Sequence, residues 1–387
     1  MATKFDIIII GGGPAGASAA ISLLQKGYSV AIIEKTDYSA IRAGETIQPQ
    51  ISSLLNELKI SKEIFNHHMP SNAIQSVWGE ASLKENNFIY NPYGHGWHLN
   101  RLKFDKQLIQ HAEKEGATLF INSHVKTIVQ HDTGSWMIRL LHHSQIKTIN
   151  ARFIIDATGR SSFVVKSRGG VRKNVDHLIG LVTTSEINYQ PTQENFLLVE
   201  SVKNGWWYSA DIPENKIVLA FMTDADLIKK EYCNAENFYK KLLLKTNFTK
   251  NRYSGSLLEN IKIYAANSYI MTKTHGINWM AIGDAAMAFD PLSSQGIYKA
   301  IKSGINAAAI IHEQFTHNTN ALQDFSRNLH ATFEKYMQLR KLYYLREKRW
   351  SQSLFWKRRH TDINTGRQES QSDTRINIIK ETAVDNT

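Results

Sequence analysis

Cysteine is almost absent from this sequence, because Cys233 is the only one among 387 residues. A single thiol excludes an internal disulfide, a CxxC redox pair and a zinc site built on several thiolates. We interpret Cys233 as a small buried apolar side chain, which is the commoner use of an isolated cysteine. We also predict that the protein binds no metal.

Long apolar runs are missing as well. No stretch approaches the roughly 20 apolar residues that a membrane-spanning helix needs, and the apolar run at 7–10 ends at glycines instead of a cleavage site. We therefore predict a cytoplasmic protein with no membrane partner. Residues 361–387 are polar with little periodicity, and we predict that this tail is mobile.

Basic residues exceed acidic ones, with 46 Lys and Arg against 35 Asp and Glu, so the formal net charge is +11. Such a charge suits an acidic partner. The sequence has no zinc-finger spacing, heptad array or other nucleic-acid module, so we predict no nucleic-acid partner. The oligomeric state is left open.

The N-terminal region has the pattern of one βαβ unit. A β-branched run at 5–10 predicts a buried parallel strand, residues 14–26 predict a helix, and residues 29–34 predict a second buried strand. In such a unit the turn between the first strand and the helix is the place where a dinucleotide binds.

That turn carries the pattern Gly11-x-Gly13-x-x-Gly16. The first glycine permits a tight turn, the second lets a pyrophosphate approach the backbone, and the third lets the helix pack closely. Glu34 ends the second strand, where it accepts from ribose hydroxyls and repels a 2′-phosphate, so we expect FAD or NAD and not NADP. The predicted contacts are Gly11, Gly13, Pro14, Ala15, Gly16, Glu34 and Lys35.

The remaining chain contains both predicted helices and predicted strands. A helix at 103–117 precedes a β-meander near 119–129, 136–141 and 146–155, and residues 175–222 read as a second, mainly antiparallel sheet. Further predicted elements are helices at 225–245, 294–314 and 321–358 and a buried strand at 277–282.

The segment AIGDAAMAFDPLSSQGIYKAIKSG at 281–304 resembles the FAD-dependent aromatic monooxygenases of the hydroxybenzoate hydroxylase type and their relatives, the flavin-dependent halogenases and geranylgeranyl reductases. In that superfamily a Gly-Asp pair places a carboxylate on the ribityl chain, and the following Pro and Gly bring backbone toward the flavin. The resemblance implies that Asp284 binds the ribityl chain. It implies that the ring is lined by Pro291, Ser294, Gln295, Gly296 and Ile297.

Further segments share this resemblance. IDATGR at 155–160 is similar to the motif that approaches the pyrophosphate, which implies a role for Gly159, and Arg101 is similar to an arginine that reaches the cofactor. The loop RAGETIQP, with Arg42 and Glu45, is expected along the flavin, where an arginine holds phosphate or ribityl oxygens. Val125 matches the position whose backbone holds adenine. Asn100 departs from the aspartate that is frequent in relatives, which puts the hydrogen bonding of Arg101 in question.

The fold class implied is α/β. We expect a Rossmann-like FAD-binding domain of the glutathione-reductase type, an inserted and mainly antiparallel substrate sheet, and a C-terminal helical segment. The predicted FAD-binding domain comprises residues 1–66, 101–168 and 268–318, the substrate domain 67–100 and 169–267, the C-terminal helices 319–360 and the mobile tail 361–387.

Three chemistries share this scaffold, so the fold alone does not choose between them. Halogenases use a lysine on a strand beyond the GE(S/T) motif and a Trp-x-Trp-x-Ile-Pro signature. Here that region reads IQSVWGEASL, with Val77 and Trp78 and no lysine before Lys84, and GWWYSADIP lacks the spacing. Without the cation that steers hypohalous acid, we disfavour halogenation.

Hydroxylation needs a dry pocket that protects a flavin C4a-hydroperoxide from water. The candidate lining residues are Trp78, Tyr90, Tyr93, Trp97, His98, Trp206, Trp207 and Tyr208. The alternative for any one of these aromatic residues is an ordinary place in the sheet core.

Segments at 91–108, 290–304 and 343–359 look most like a narrower group, the flavoproteins that mature cysteine tryptophylquinone in bacterial amine and amino-acid oxidases. These oxygenate a tryptophan within a partner protein. The C-terminal helix fits a docking role; the alternative is a solvated face whose aromatic side chains pack back on the protein. The residues concerned are Arg340, Lys341, Arg346, Lys348, Arg349, Lys357, Arg358 and Arg359, with Trp350, Phe355 and Trp356.

These observations together predict an FAD-dependent monooxygenase that hydroxylates an electron-rich aromatic ring, with the indole of a partner protein's tryptophan as the expected substrate. His98 and Glu45 are the candidate acid-base residues. Because no second GxGxxG is present, we expect NAD(P)H to bind transiently or a partner to supply electrons. The alternatives are a halogenase-like enzyme, a geranylgeranyl-type reductase with an apolar tunnel, and a non-catalytic flavin-binding partner protein.

Overall fold

The structure is a computed structural model that describes residues 3–39, 42–187, 195–228, 235–255, 258, 261–317 and 320–361. The interpretation of Cys233 and the predicted mobility of the tail concern residues outside these ranges, apart from Thr361 at the end of the last helix. Within the described ranges, no helix is both long and apolar enough to cross a bilayer.

The helices and strands are as follows. The helices are α1 Pro14–Leu24, α2 Ile51–Glu57, α3 Arg101–Lys114, α4 Phe163–Ser167, α5 Ala235–Leu243, α6 Gly296–His317, α7 Ala321–Arg346 and α8 Leu354–His360. The strands are β1 Thr3–Ile10, β2 Val30–Ile33, β3 Thr46–Ile47, β4 Met69–Ser71, β5 Ala73–Val77, β6 Lys84–Asn87, β7 Gly96–His98, β8 Thr118–Phe120, β9 Ser123–Gln130, β10 Trp136–His142, β11 Gln145–Asp156, β12 Arg172–Asn174, β13 Leu178–Glu186, β14 Phe196–Val202, β15 Gly205–Ile212, β16 Lys216–Asp224, β17 Lys262–Ala265, β18 Tyr269–Met271, β19 His275–Gly276, β20 Trp279–Ala281 and β21 Met287–Ala288.

The first sheet is built around β1, which pairs in parallel with β2 on one side and β11 on the other. Its order is β19-β20-β11-β1-β2-β8, and β9 and β10 extend β11 as the predicted antiparallel meander. Ile7 and Ile9 of β1 face α1 and α6, whereas Ile8 and Ile10 pack on the opposite face. Both faces of the strand are therefore covered, as its unbroken β-branched run predicts.

The second sheet has the order β17-β13-β16-β15-β14-β5-β6. Its strands pair in antiparallel fashion except for β14 and β5, which are parallel. Two three-stranded sheets, β12-β18-β21 and β3-β7-β4, complete the architecture. The mixed α/β fold with a mainly antiparallel second sheet and C-terminal helices is confirmed.

Helix α6 packs on α1 with almost no space between the two backbones. A Cβ at Gly304 would lie 2.4 Å from the carbonyl oxygen of Ala15, and the Ser18 hydroxyl donates to the Ile301 carbonyl at 3.2 Å. This close approach brings the N-terminus of α6 beside the glycine-rich turn, so the two fingerprint segments of the sequence meet in space.

The predicted single helix at 321–358 is wrong, because the chain leaves α7 after Arg346 and starts α8 at Leu354. Glu347 follows the last residue of α7; its backbone is extended (φ −82°, ψ 103°) and its side chain is fully buried. The carboxylate accepts from the Gly79 amide at 2.8 Å and the Ser201 hydroxyl at 2.6 Å. The buried carboxylate of Glu347 therefore ties the end of α7 to the second sheet.

Candidate active site

The glycine-rich turn presents a cradle in front of α1. Gly11 has φ +108°, and a Cβ there would lie 2.2 Å from the Ala157 carbonyl oxygen; a Cβ on Gly16 would lie 2.0 Å from the Gly11 oxygen. Gly13 is different, because the nearest described atom is Arg42 Nη1 at 3.9 Å. Gly13 is also the helix N-cap and supplies no side-chain cap. Gly13 therefore leaves room in front of the N-terminal end of α1, which begins with Pro14 and Ala15, and a helix N-terminus of this kind suits a pyrophosphate.

Glu34 directly follows β2, and its side chain contacts the glycine-rich turn. Its Oε2 accepts from the Gly12 amide at 2.7 Å, and its Oε1 accepts from the Thr36 amide at 2.9 Å and hydroxyl at 2.6 Å. The carboxylate is nearly buried. Lys35 points to solvent, and Val125 lies in β9 opposite Leu140, so neither is drawn into this cluster by a side-chain contact that the described residues show.

Arg42 and Arg101 share one buried carboxylate, that of Asp105. Arg42 Nη1 and Arg101 Nη2 each donate to Asp105 Oδ2 at 2.9 Å. Arg101 also donates to the carbonyls of Ala43 at 2.6 Å and Gly44 at 3.1 Å, which fixes the loop that precedes β3. Sequence reasoning missed Asp105, although Arg101 and Asp105 have the i, i+4 spacing of a helical ion pair.

Asn100 does not contribute to the hydrogen bonding of Arg101. It caps α3 instead, since its side-chain oxygen accepts from the Lys103 amide at 3.2 Å. The departure from aspartate at this position therefore leaves Arg101 in place, because Asp105 supplies the carboxylate that the arginine needs.

Asp284 stands in a short turn directly after β20, surrounded by cations. Lys299 Nζ donates to its Oδ1 at 2.8 Å, and Arg160 Nε lies 3.7 Å from its Oδ2. Burial favours the neutral acid, but the charges of Lys299, Arg160 and Arg101 together hold the pKa of Asp284 below its usual value. An ionised carboxylate at this position can accept from the hydroxyls of a ribityl chain.

The flavin loop, residues 290–296, connects β21 to α6. Asp290 caps a short turn at Pro291 by accepting from the Leu292 amide at 2.8 Å. Ser294 adopts a left-handed conformation with φ +49°. Gln295 is exposed and Ile297 is buried under the loop.

Gly296 and Gly159 border open space. A Cβ at either position would meet no described atom within 4 Å. Gly159 has φ +60° and follows β11, while Gly296 begins α6. Together with Gly13, these glycines leave room on the side where a flavin dinucleotide would lie, so the residues present fit FAD.

Glu45 joins the loop before β3 to the second sheet. Tyr208 of β15 donates from its hydroxyl to Glu45 Oε2 at 3.3 Å and lies 3.0 Å from the Thr46 hydroxyl. Burial raises the pKa of Glu45 despite the opposing charge of Arg101. Glu45 is therefore a buried carboxylate between Arg101 and the second sheet.

His98 lies on β7, opposite Thr46 and Met69, and is completely buried. Burial first, and then the charge of Arg252, lower its pKa to about 3. Within the described part of the chain, neither ring nitrogen has a hydrogen-bond partner. The imidazole is therefore neutral and enclosed at physiological pH, which makes it a poorer acid-base candidate than Glu45.

The predicted aromatic residues do not converge on one pocket. Trp206 and Trp207 are fully buried in separate core clusters of the second sheet. Trp97 stacks on Phe65 at 4.4 Å between ring centroids. Tyr90 is 94% exposed. Among the predicted aromatic residues that the structure describes, Tyr208 is the one that hydrogen-bonds Glu45. The alternation of β15 places Tyr208 on the same face as Trp206 and on the face opposite to Trp207.

The remaining predicted pocket residues lie elsewhere. The Trp78 indole donates to the Tyr343 carbonyl at 2.8 Å and packs against Trp356 with ring centroids 5.3 Å apart. Tyr93 is 48% exposed. The alternative reading, an ordinary structural place, holds for Trp78.

Part of the basic C-terminal segment is buried within the protein, whereas Arg346, Lys348 and Lys357 are exposed. Arg340 pairs with Asp176 at 2.7 Å, and Arg359 with Asp224 at 2.7 Å, both within the interior. Phe355 and Trp356 are fully buried in the core of the second sheet. The docking hypothesis is wrong for these four residues, whose partners are distant in sequence. Removal of the chain from 340 onward would expose this core and would test folding, not docking.

The two meeting fingerprints and the Rossmann-like sheet are the features of an FAD-binding protein. The chain belongs to the FAD binding domain family, which matches residues 4–340. It is a flavin-dependent oxidoreductase.

Two proteins of known description are similar to this chain in sequence. LodB of Marinomonas mediterranea, described as an FAD-dependent oxidoreductase, is 28% identical over 363 residues, which is 92% of this chain and 97% of LodB. The 1H-pyrrole-2-carbonyl-[peptidyl-carrier protein] brominase of Pseudoalteromonas luteoviolacea is 24% identical over 324 residues, which is 81% of this chain and 79% of the brominase.

Solved structures of both chemistries share the fold. The flavin-dependent halogenase CmlS superimposes with a TM-score of 0.82 at 23% identity, covering 98% of this chain and 70% of CmlS. QhpG, a peptidyl tryptophan dihydroxylase essential for tryptophylquinone cofactor biogenesis, superimposes with a TM-score of 0.76 at 21% identity, covering 95% of this chain and 81% of QhpG. At such identities these likenesses establish the fold alone.

Proposed function

We propose that this protein is an FAD-dependent monooxygenase that hydroxylates an electron-rich aromatic ring, and that the ring is the indole of a tryptophan in a partner polypeptide. The observation that carries the proposal is Glu45, a buried carboxylate held by the Tyr208 hydroxyl at 3.3 Å. Glu45 lies between the cofactor arginine Arg101 and the second sheet, where a substrate ring would meet the flavin.

Hydroxylation replaces a ring hydrogen by a hydroxyl group, so a proton has to leave the substituted carbon. Reduced FAD supplies two electrons, with which one atom of O2 enters the ring and the other becomes water. Burial raises the pKa of Glu45, so its carboxylate is a stronger base than a solvated one. We assign to Glu45 the proton that leaves the ring, with Tyr208 orienting its Oε2.

Halogenation has less support from the residues present. Lys59 and Lys62 follow the GE(S/T) motif within the helical segment, and the next lysine is Lys84. The Lys84 side chain is 58% exposed and pairs with Glu80 on the surface. Trp78 is used in packing against the C-terminal helices. Neither side chain is placed to steer a hypohalous acid toward a bound ring.

The polypeptide substrate is suggested by the likeness to QhpG, a peptidyl tryptophan dihydroxylase that shares the fold of this chain. NAD(P)H as a transient reductant is part of the proposal, since the sequence has a single GxGxxG.

The test is intact-mass analysis of the unmodified precursor polypeptide of a tryptophylquinone enzyme after incubation with this protein, FAD, NADH and O2. We expect one or two added oxygen atoms on a tryptophan. Glu45→Gln should slow the gain by about 10²- to 10⁴-fold, whereas Glu214→Gln, a control at a surface carboxylate paired with Lys103, should not. Peroxide without any mass gain would overturn the proposal.

A further inference from the structure

Lys299, in the first turn of α6, is a cation that sequence analysis did not assign to the cofactor site. Its Nζ donates to Asp284 Oδ1 at 2.8 Å and to the Met287 carbonyl at 2.6 Å. The side chain is only 10% exposed, and the ammonium lies 4.5 Å from the centroid of the Phe289 ring. Three partners therefore hold one buried ammonium against the carboxylate assigned to the ribityl chain.

Asp284 depends on such a partner because burial of a carboxylate favours its neutral form. Arg160 is the second cation, at 3.7 Å from the other oxygen, but its guanidinium also donates to the Asn267 carbonyl at 2.9 Å. Lys299 is the nearer counter-ion and donates a hydrogen bond to Asp284, whereas Arg160 is too distant for one. Removal of its charge would leave Asp284 with a weaker electrostatic partner.

Lys299 also adds charge at a helix N-terminus. It lies three residues after Gly296, the first residue of α6, where the amide ends of the helix already favour negative charge. A two-electron-reduced flavin carries negative charge at N1, so positive charge at this end of the site favours the reduced cofactor.

We infer that Lys299 is a positioning residue of the flavin site, which keeps Asp284 ionised and in place for the ribityl chain and favours reduced over oxidised FAD. This role is the same for hydroxylation, halogenation or reduction, so it does not rest on the proposed function. Its consequences are a tighter FAD complex and a higher midpoint potential of the bound flavin.

The test compares Lys299→Met, Lys299→Gln and Lys299→Arg with the wild-type holoenzyme. FAD is titrated into each apoprotein, and the midpoint potential of each bound flavin is measured against a reference dye. For Lys299→Met and Lys299→Gln we expect at least tenfold weaker FAD binding. We also expect a midpoint potential about 30 mV lower, which is a tenfold weaker preference for the reduced form of a two-electron couple. Lys299→Arg, which keeps the charge, should remain near the wild-type potential.

Lys302→Met is the matched control, since Lys302 is exposed on the same helix with its ammonium 5.9 Å from the Tyr298 ring centroid. It should give wild-type values. Equal affinities and potentials in the Lys299 and Lys302 variants would overturn the inference. Weaker FAD binding at an unchanged potential would overturn the charge effect, and circular dichroism showing that all three Lys299 variants are unfolded would reassign Lys299 to folding. If Lys299→Met alone is unfolded, the Gln and Arg variants decide.

Discussion

The hydroxyl of Tyr344 donates a hydrogen bond of 2.6 Å to Oδ2 of Asp290, the first residue of the flavin loop. Arg340, one turn earlier on α7, lies 3.4 Å from the same oxygen and donates to Asp176 at 2.7 Å. The Asp290 amide also donates to the Tyr336 hydroxyl at 2.7 Å. Helix α7 therefore anchors the flavin loop and connects it to Asp176, which precedes β13 of the second sheet.

Replacement of Arg340 tests this arrangement. Arg340→Met leaves the carboxylates of Asp176 and Asp290 without their buried cation. We expect the free energy of unfolding to fall by about 3–5 kcal/mol, because breaking a buried ion pair strands its partners. Urea unfolding of the apoprotein measures the change.

The control is Arg327→Met on the same helix, where Arg327 pairs with Asp324 and both side chains are exposed. Its effect should stay below about 1 kcal/mol, as is usual for surface pairs. Similar losses in the two variants would contradict the role assigned to Arg340.

Two glycines of the glycine-rich turn are expected to have different roles, Gly13 in ligand binding and Gly16 in packing. Gly13→Ala adds a methyl group whose nearest described neighbour is Arg42 Nη1 at 3.9 Å, and Gly13 has an ordinary negative φ of −73°. We expect a folded protein that binds FAD at least about tenfold more weakly, since the methyl group occupies the pyrophosphate cradle.

Gly16→Ala should act differently, because its methyl group would lie 2.0 Å from the Gly11 carbonyl oxygen. We expect a lower thermal midpoint already in the apoprotein. Apoprotein melting and FAD titration of both variants distinguish the two effects, and a Gly13→Ala protein with wild-type FAD affinity would contradict the cradle.

Glu45 gives stability a defined dependence on pH. Burial raises its pKa above the usual 4.5 in the native state, so the folded protein binds this proton more tightly than the unfolded chain. The contribution of Glu45 to stability is therefore fully present below pH 4.5 and is lost as the pH rises through the raised native pKa.

Glu45→Gln is permanently neutral and should not show this loss. Relative to the wild type, we expect the variant to gain stability between pH 5 and the raised pKa and then to stay level. Urea unfolding across this pH range measures the difference, and a difference that does not change with pH would show that Glu45 titrates as it does in the unfolded chain.

Lys84 should be dispensable, because it is an exposed residue paired with Glu80. Lys84→Met is expected to leave the rate of substrate oxygenation unchanged, and added bromide should give no brominated product with either protein. Product masses after incubation with bromide measure both. A brominated product that disappears in Lys84→Met would assign this lysine the role of the halogenase lysine.

The local patterns of the sequence predicted much of the architecture. The β-branched run of β1 forms a strand that is covered on both faces, and the meander that follows α3 is present. The Gly-Asp pair at 283–284 meets the glycine-rich turn because α6 packs on α1 through small residues. The strand and the meander depend on residues close in sequence, so periodicity reports them well. The meeting of the Gly-Asp pair with the glycine-rich turn joins distant segments, and only the resemblance to a known family implied it.

The surroundings of the site were harder to predict, because they depend on distant pairs. Arg340 reads as a surface cation in sequence, yet it is buried between Asp176 and Asp290. His98 reads as an acid-base candidate, and only the packing shows that it is enclosed and neutral. The sequence did not identify Lys299 as the counter-ion of Asp284, because helical periodicity does not show which carboxylate lies beside a lysine.

Incubation of the precursor polypeptide with this protein, FAD, NADH and ¹⁸O₂ in the presence of bromide tests the central claim most directly. Peptide mass analysis reports both the site and the origin of the added atom. We expect ¹⁸O on a tryptophan ring and no bromine. Bromine on the ring, or a substrate of unchanged mass while oxygen is consumed, would contradict a peptide-directed monooxygenase.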